Sequence, residues 1–193
     1  MNYLAGLLLF VVGAFIGLRL PDFDLYFRWW PLIVHRSLLT HGFLVPLLLF
    51  VSLRGRSGKP FADNRPRLFL LGFCIATAVH LCFDLFPSAW RGYARVHFPL
   101  LGWMGGELSV LWLLVGILAT LYLGCKLLRR PNDVVLSLLG LAASYGVSAS
   151  AQPRLSFFAL LVLVPAVLVA FLLPRRHHDP NSPAGDISRW MNG

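Results

Sequence analysis

Leu68-Phe69-Leu70-Leu71-Gly72-Phe73-Cys74-Ile75-Ala76-Thr77-Ala78-Val79-His80-Leu81-Cys82-Phe83-Asp84-Leu85-Phe86 contains no lysine or arginine and a single carboxylate. A helix needs about 20 apolar residues to cross the roughly 30 Å bilayer core, with about 17 as the short limit, so the stretch reads as a membrane span. Its histidine and carboxylate, His80 and Asp84, both sit at the closing end. Four residues apart on a helix, they project to one face. Imidazole nitrogen and carboxylate oxygen are ordinary ligands for zinc, manganese or iron. A helix-end pair in which Asp84 simply hydrogen-bonds His80 is the plainer alternative.

Five further apolar runs lie at about 3–20, 38–53, 107–125, 134–150 and 155–173. The first, fourth and sixth runs in chain order are long enough to span. The run at 38–53 is short unless it begins near His35, and Pro46 within it predicts a kink. The run at 134–150 carries Ser137, Ser144, Tyr145 and Ser148 and is the least hydrophobic. The expected fold is all-α, a polytopic transmembrane helical bundle of about six spans, or five if 134–150 does not cross. It would occupy residues 1–174, with the metal-site half at about 10–107, and the tail 175–193 would be cytoplasmic and disordered. The first run has no basic residue before Tyr3 and no small-x-small site before Pro21, so it reads as a retained helix rather than a cleaved signal.

Composition agrees. Of 193 residues, 58% are hydrophobic and 13% charged, with a mean hydropathy of +0.72. Soluble domains carry about 25% charged residues, and half that amount does not cover a water-facing globule. The net charge of +9 follows from basic loops beside anionic lipid. No Gly-rich phosphate loop, RNA-binding signature or zinc-finger spacing is present, and no nucleic-acid partner is expected. Cys74, Cys82 and Cys125 lack CxxC spacing and read as small buried hydrophobes.

Basic residues set the expected orientation. Eleven fall on the side of residues 54–67, 126–130 and 175–189, and six on the other. The positive-inside rule then places both termini in the cytoplasm. The segments 19–37 and 87–106 face the extracytoplasmic side.

That side also collects the polar chemistry. Pro21-Asp22-Phe23-Asp24 closes the first run, His35-Arg36-Ser37-Leu38-Leu39-Thr40-His41 precedes the second, and His80 and Asp84 close the third. In extended chain, Asp22 and Asp24 point the same way; the alternative is a helix-terminal turn compensated by Arg19. His35 and His41 reach one ion only if His35 lies in a loop and His41 in a first turn. Thr40 either caps the helix or orients an imidazole. Arg36 suits a phosphate or carboxylate, or snorkels to the interface. Glu107 either joins the cluster or favours the start of the fourth run, and His97 is a further weak candidate. Three carboxylates and three imidazoles gathered without a cation would be costly, and divalent ions would satisfy them.

The order Pro-Asp-x-Asp, His-Arg-…-Thr-His and His-x-x-x-Asp on successive spans resembles the YdjM-like family of bacterial inner-membrane proteins, described as metal-dependent hydrolases. The likeness covers about residues 10–100. Two features depart from the family's His-Arg-Gly-x-Thr-His-Ser: one more residue separates His35 from His41, and Gly42 stands where the serine is. The resemblance implies metal-ligand roles for Asp22, Asp24, His35, His41, His80 and Asp84, and kinship with zinc-dependent phospholipase C-type enzymes. The expectation is a membrane-bound hydrolase using one or two divalent ions, zinc before manganese or iron. Its substrate would be a phosphoester of a lipid or lipid-linked molecule. Arg36, with Arg91 or Arg95, would steady the phosphate, and Asp24 or Asp84 would serve as general base. The competing readings are a divalent-metal transporter or sensor, and a non-enzymatic membrane protein that binds a partner.

Overall fold

Hydrocarbon offers no hydrogen bonds to backbone amides, so apolar runs of this kind satisfy themselves as helices. The computed structural model describes residues 3–27, 36–53, 64–86, 92–99 and 101–172. In chain order these form α1 (Tyr3–Arg19), a 3-10 helix (Pro21–Phe27) and α2 (Leu44–Leu53). Next come α3 (Asn64–Asp84) and a small hairpin of β1 (His97–Phe98) and β2 (Gly102–Trp103). Helices α4 (Gly106–Leu127), α5 (Pro131–Ala151) and α6 (Ser156–Leu172) follow, the last led by a 3-10 turn (Pro153–Leu155). The fold is all-α. His35, Arg91 and the tail 175–193 lie outside the described residues.

Four helices are long and apolar enough to cross a membrane: Arg65–Asp84, Gly106–Leu127, Pro131–Ala151 and Pro153–Leu172. The other two of the six expected spans are shorter. Helix α1 has 17 residues, and the 10 of α2 reach only about 15 Å. The second run loses length because residues 38–43 form the turn that carries Thr40 and His41. Pro46 does not kink it. The helix opens with the Leu47 N–H on the Phe43 carbonyl at 2.9 Å, so Pro46 falls in the first turn, where a missing N–H costs nothing.

Helix α3 is the axis of the molecule, buried at every position from 70 to 85. The surrounding helices turn large apolar side chains outward, among them Leu8, Phe15, Leu111, Leu139, Leu161 and Leu168. This is the arrangement a hydrocarbon solvent favours. Helices α1 and α3 meet backbone to backbone: a Cβ at Gly13 or Gly17 would strike the carbonyl of Phe69 or Phe73, and one at Gly72 the carbonyl of Phe10. Small residues at such spacing are what bring membrane helices together, since apolar burial gains little in lipid.

Starts and ends alternate as the runs predict. At one end the guanidinium of Arg67 donates to the Leu127 carbonyl and to Asp133 Oδ2, both at 2.7 Å. That carboxylate also caps α5 by accepting from the Arg129 and Arg130 amides. One buried ion pair thus ties α3, α4 and α5. At the other end the closing turns of α1, α3 and α5 come together, and the acidic and histidine residues are there.

Candidate metal centre

Helix α1 stops at Pro21, which leaves the carbonyls of its last turn without helical partners. Helix α3 supplies them. Thr77 Oγ1 donates to the Gly17 carbonyl at 3.1 Å, and His80 Nδ1 lies 2.9 Å from the Leu18 carbonyl. A carbonyl only accepts, so the proton sits on Nδ1 and the neutral imidazole turns the lone pair of Nε2 the other way. The close glycine contact of α1 with α3 therefore fixes the tautomer of His80.

After Pro21 the chain turns as a 3-10 helix, with about three residues per turn, so Asp22 and Asp24 diverge instead of pointing together as they would in extended chain. Asp22 faces outward, its side chain 43% exposed, with Oδ1 3.8 Å from His80 Nε2. Asp24 turns inward and is buried. Its Oδ2 accepts from Thr40 Oγ1 at 2.9 Å and from the Ser37 amide at 3.4 Å, and faces His41 Nδ1 at 3.3 Å. Thr40 Oγ1 is itself 3.0 Å from that nitrogen. With the hydroxyl proton directed at Asp24, Nδ1 of His41 is the donor and Nε2 again offers a lone pair. Helix α4 fixes the backbone here, because Trp112 Nε1 donates to the His41 carbonyl at 2.9 Å. Gly42 is required by the same contact, since a Cβ would stand 2.6 Å from that indole nitrogen.

Both imidazoles address Asp84. Its Oδ2 is 2.8 Å from His80 Nε2 and 3.1 Å from His41 Nε2. His80 Nε2 and Asp84 Oδ2 form a buried ion pair, in which a proton on Nε2 bridges the two atoms wherever a metal ion does not, and neither atom has any other hydrogen-bond partner. Acceptors brought this close repel unless a cation lies among them, whether a proton or a metal ion. Ligand atoms on a tetrahedral zinc stand about 3.3 Å apart, given bonds of about 2.0–2.1 Å, and the separations here, 2.8 to 3.8 Å, bracket that value. Asp22, His41 and His80 each offer an atom within 4.8 Å of the others. This Asp/His/His group could hold a metal ion, with Asp84 beside it. In the protein without metal, burial works against a charge on His41, but Asp24 and Asp84 on its two sides outweigh it and raise its pKa to about 9.

Of the six proposed ligands, the structure therefore gathers Asp22, His41, His80 and Asp84 and puts Asp24 behind His41. His35 falls outside the described residues. Arg36 is partly buried in a left-handed conformation (φ 61°). Its carbonyl accepts from the His97 amide, and its Nε is buried without a hydrogen-bond partner. His97 packs edge-on against Trp103 in the hairpin, whereas Glu107 and Arg95 are exposed. Sequence reading missed Trp112 and the Leu18 carbonyl, the first because it lies 71 residues from its partner, the second because a backbone atom leaves no compositional trace.

A cleft of about 90 Å³ reaches the group, bounded by Leu18, Arg19 and Asp22, by His80, Phe83 and Asp84, and by residues 147–152 of the α5 end. Comparisons with family models, curated proteins and solved structures return no match to this chain.

Proposed function

We propose that the protein is a membrane-bound, metal-dependent hydrolase of a phosphoester carried by a lipid or lipid-linked molecule, with zinc as the metal. The observation that carries this reading is the convergence of His41, His80 and Asp84, with His80 and Asp84 lining a cleft at the last turn of a membrane helix. The resemblance of the three motifs to the YdjM-like family points the same way. His41 and His80 hold the ion through Nε2, with Asp84 and Asp22 as the carboxylate ligands. Asp24 and Thr40 orient His41, and the Leu18 carbonyl orients His80.

A divalent ion at such a site supplies Lewis acidity toward a phosphoryl oxygen and lowers the pKa of water. Asp22 has the exposed carboxylate: its Oδ1 is the oxygen that faces the histidines, and the other oxygen, not held by the ion, would take the proton from the attacking water. The water oxygen forms the new bond to phosphorus, the ester P–O bond breaks, and the proton passes to the departing alcohol. Asp24, enclosed and already hydrogen-bonded, keeps its charge behind His41. The distribution of basic residues supports an extracytoplasmic face for the site, and the YdjM-like resemblance supports a bacterial inner membrane.

The test is reconstitution in zinc-loaded phospholipid vesicles with release of phosphate or headgroup as the readout. Wild type should turn over, and His41→Ala and Asp84→Ala should not. Wild type that binds zinc, releases nothing and carries the ion across the vesicle wall would replace this reading with transport.

A further inference from the structure

We propose that the substrate reaches the site sideways from the bilayer, between the closing turns of α1 and α5, with its phosphate met by Arg19 and Gln152 and its acyl chains left in the leaflet. The phosphoester chemistry rests on the preceding reading; the route rests on geometry alone.

The two helices touch at mid-span. A Cβ at Gly140 would lie 2.6 Å from the ring of Phe10, so that ring fills the space between α1 and α5. From there α1 runs nine more residues to Arg19 and α5 twelve to Gln152, about 14 and 18 Å. Along this stretch contact is lost. Val147, seven residues after Gly140 and so on the same face of α5, is exposed. The cleft is the gap that remains, with Leu18 and Val147 at its apolar sides and Arg19, Ser148 and Gln152 at its polar rim. Arg19 is exposed and forms no ion pair among the described residues.

Elsewhere the group is covered. Ser37, His41 and Asp24 are buried. Among the described residues the cleft opens on the side of the helix gap.

Depth agrees with this route. His80 lies one turn, about 5 Å, inside the end of α3, and the exposed rings of Phe23, Tyr26, Tyr93 and Trp103 are on segments just beyond the helix ends. Aromatic residues collect at headgroup level. A lipid phosphate sits there already, so a phospholipid enters the cleft without leaving its leaflet.

The experiment reads binding, not turnover. A fluorophore is placed on Val147→Cys in a Cys125→Ala background, and the protein is put into nanodiscs with zinc. Quenching is compared for a spin-labelled phosphonate analogue of phosphatidic acid, which cannot be hydrolysed, for diacylglycerol with the same label, and for the analogue with excess soluble glycerol phosphate. The analogue should half-saturate at about fivefold lower mole fraction than diacylglycerol, the worth of roughly one cation near an anionic headgroup. Arg19→Gln should remove that preference with zinc content unchanged, and glycerol phosphate should not compete. Equal quenching by both lipids overturns recognition of the phosphate by Arg19 and Gln152, and full competition by glycerol phosphate overturns the lateral route. Loss of zinc in Arg19→Gln also overturns that recognition, since Arg19 would then serve the metal group. A protein with the lipid preference but no turnover would refute the hydrolase and leave the route standing.

Discussion

Asp24→Asn set beside Asp84→Asn separates a carboxylate that orients a ligand from one that is a ligand. Asp24 Oδ2 takes the Thr40 hydroxyl at 2.9 Å and faces His41 Nδ1 at 3.3 Å. Asparagine keeps the volume and one acceptor oxygen, so the ring stays near its position but loses the charge that makes Nε2 more basic. Partners of this kind are worth about 10–100-fold in metal affinity, or about 1.4–2.7 kcal/mol. Asp84 instead stands 2.8 and 3.1 Å from the two Nε2 atoms. An amide there removes the anion facing the cation, and the loss should exceed about 100-fold. Zinc affinity is measured by competition with a chromophoric chelator in detergent, and metal-free stability by chemical unfolding. Equal losses for the two variants, or a larger loss at Asp24, would refute the assignment.

The His41 pKa gives a pH dependence with a definite sign. The fold favours the charged ring, so its contribution to the metal-free protein is complete below the ordinary imidazole value of about 6.5 and is lost as pH rises through about 9. Zinc must displace that proton, and its affinity should rise about tenfold per pH unit toward 9 and level off above; titration across the range checks it. Gly17→Ala drives a Cβ into the Phe73 carbonyl and should cost about 1–3 kcal/mol together with zinc affinity, because it moves the Leu18 carbonyl away from His80. Gly42→Ala should weaken zinc binding by displacing Trp112, while Trp112→Phe, which removes only the donor to the His41 carbonyl, should have the smaller effect. Arg67→Met leaves Asp133 buried without its partner and should cost about 3–5 kcal/mol at the far end of the bundle, with zinc affinity unchanged when measured on the folded fraction.

The helices and the face that gathers the acidic and histidine residues are legible in the sequence because both follow from periodicities. Run lengths give the helices, and alternating starts and ends place Asp22, His41 and Asp84 together. The four-residue step from His80 to Asp84 puts their side chains on one helical face. What the chain does not advertise is local conformation outside regular helix. Asp22 and Asp24 part because Pro21–Phe27 is a 3-10 turn, and two residues cannot be assigned to one side until that turn is known. The 38–53 run reads as one hydrophobic block, although its first six residues bend to carry Thr40 and His41. Trp112 reads as one more apolar residue of its run until Gly42 is found beneath it.

Zinc-edge X-ray absorption on protein loaded with a single equivalent of zinc tests the shared ion most directly. The account predicts nitrogen and oxygen neighbours only, at about 2.0–2.1 Å, with the scattering of two imidazoles in wild type and of one in His80→Ala. A spectrum without imidazole, or with sulfur at about 2.3 Å, would contradict it.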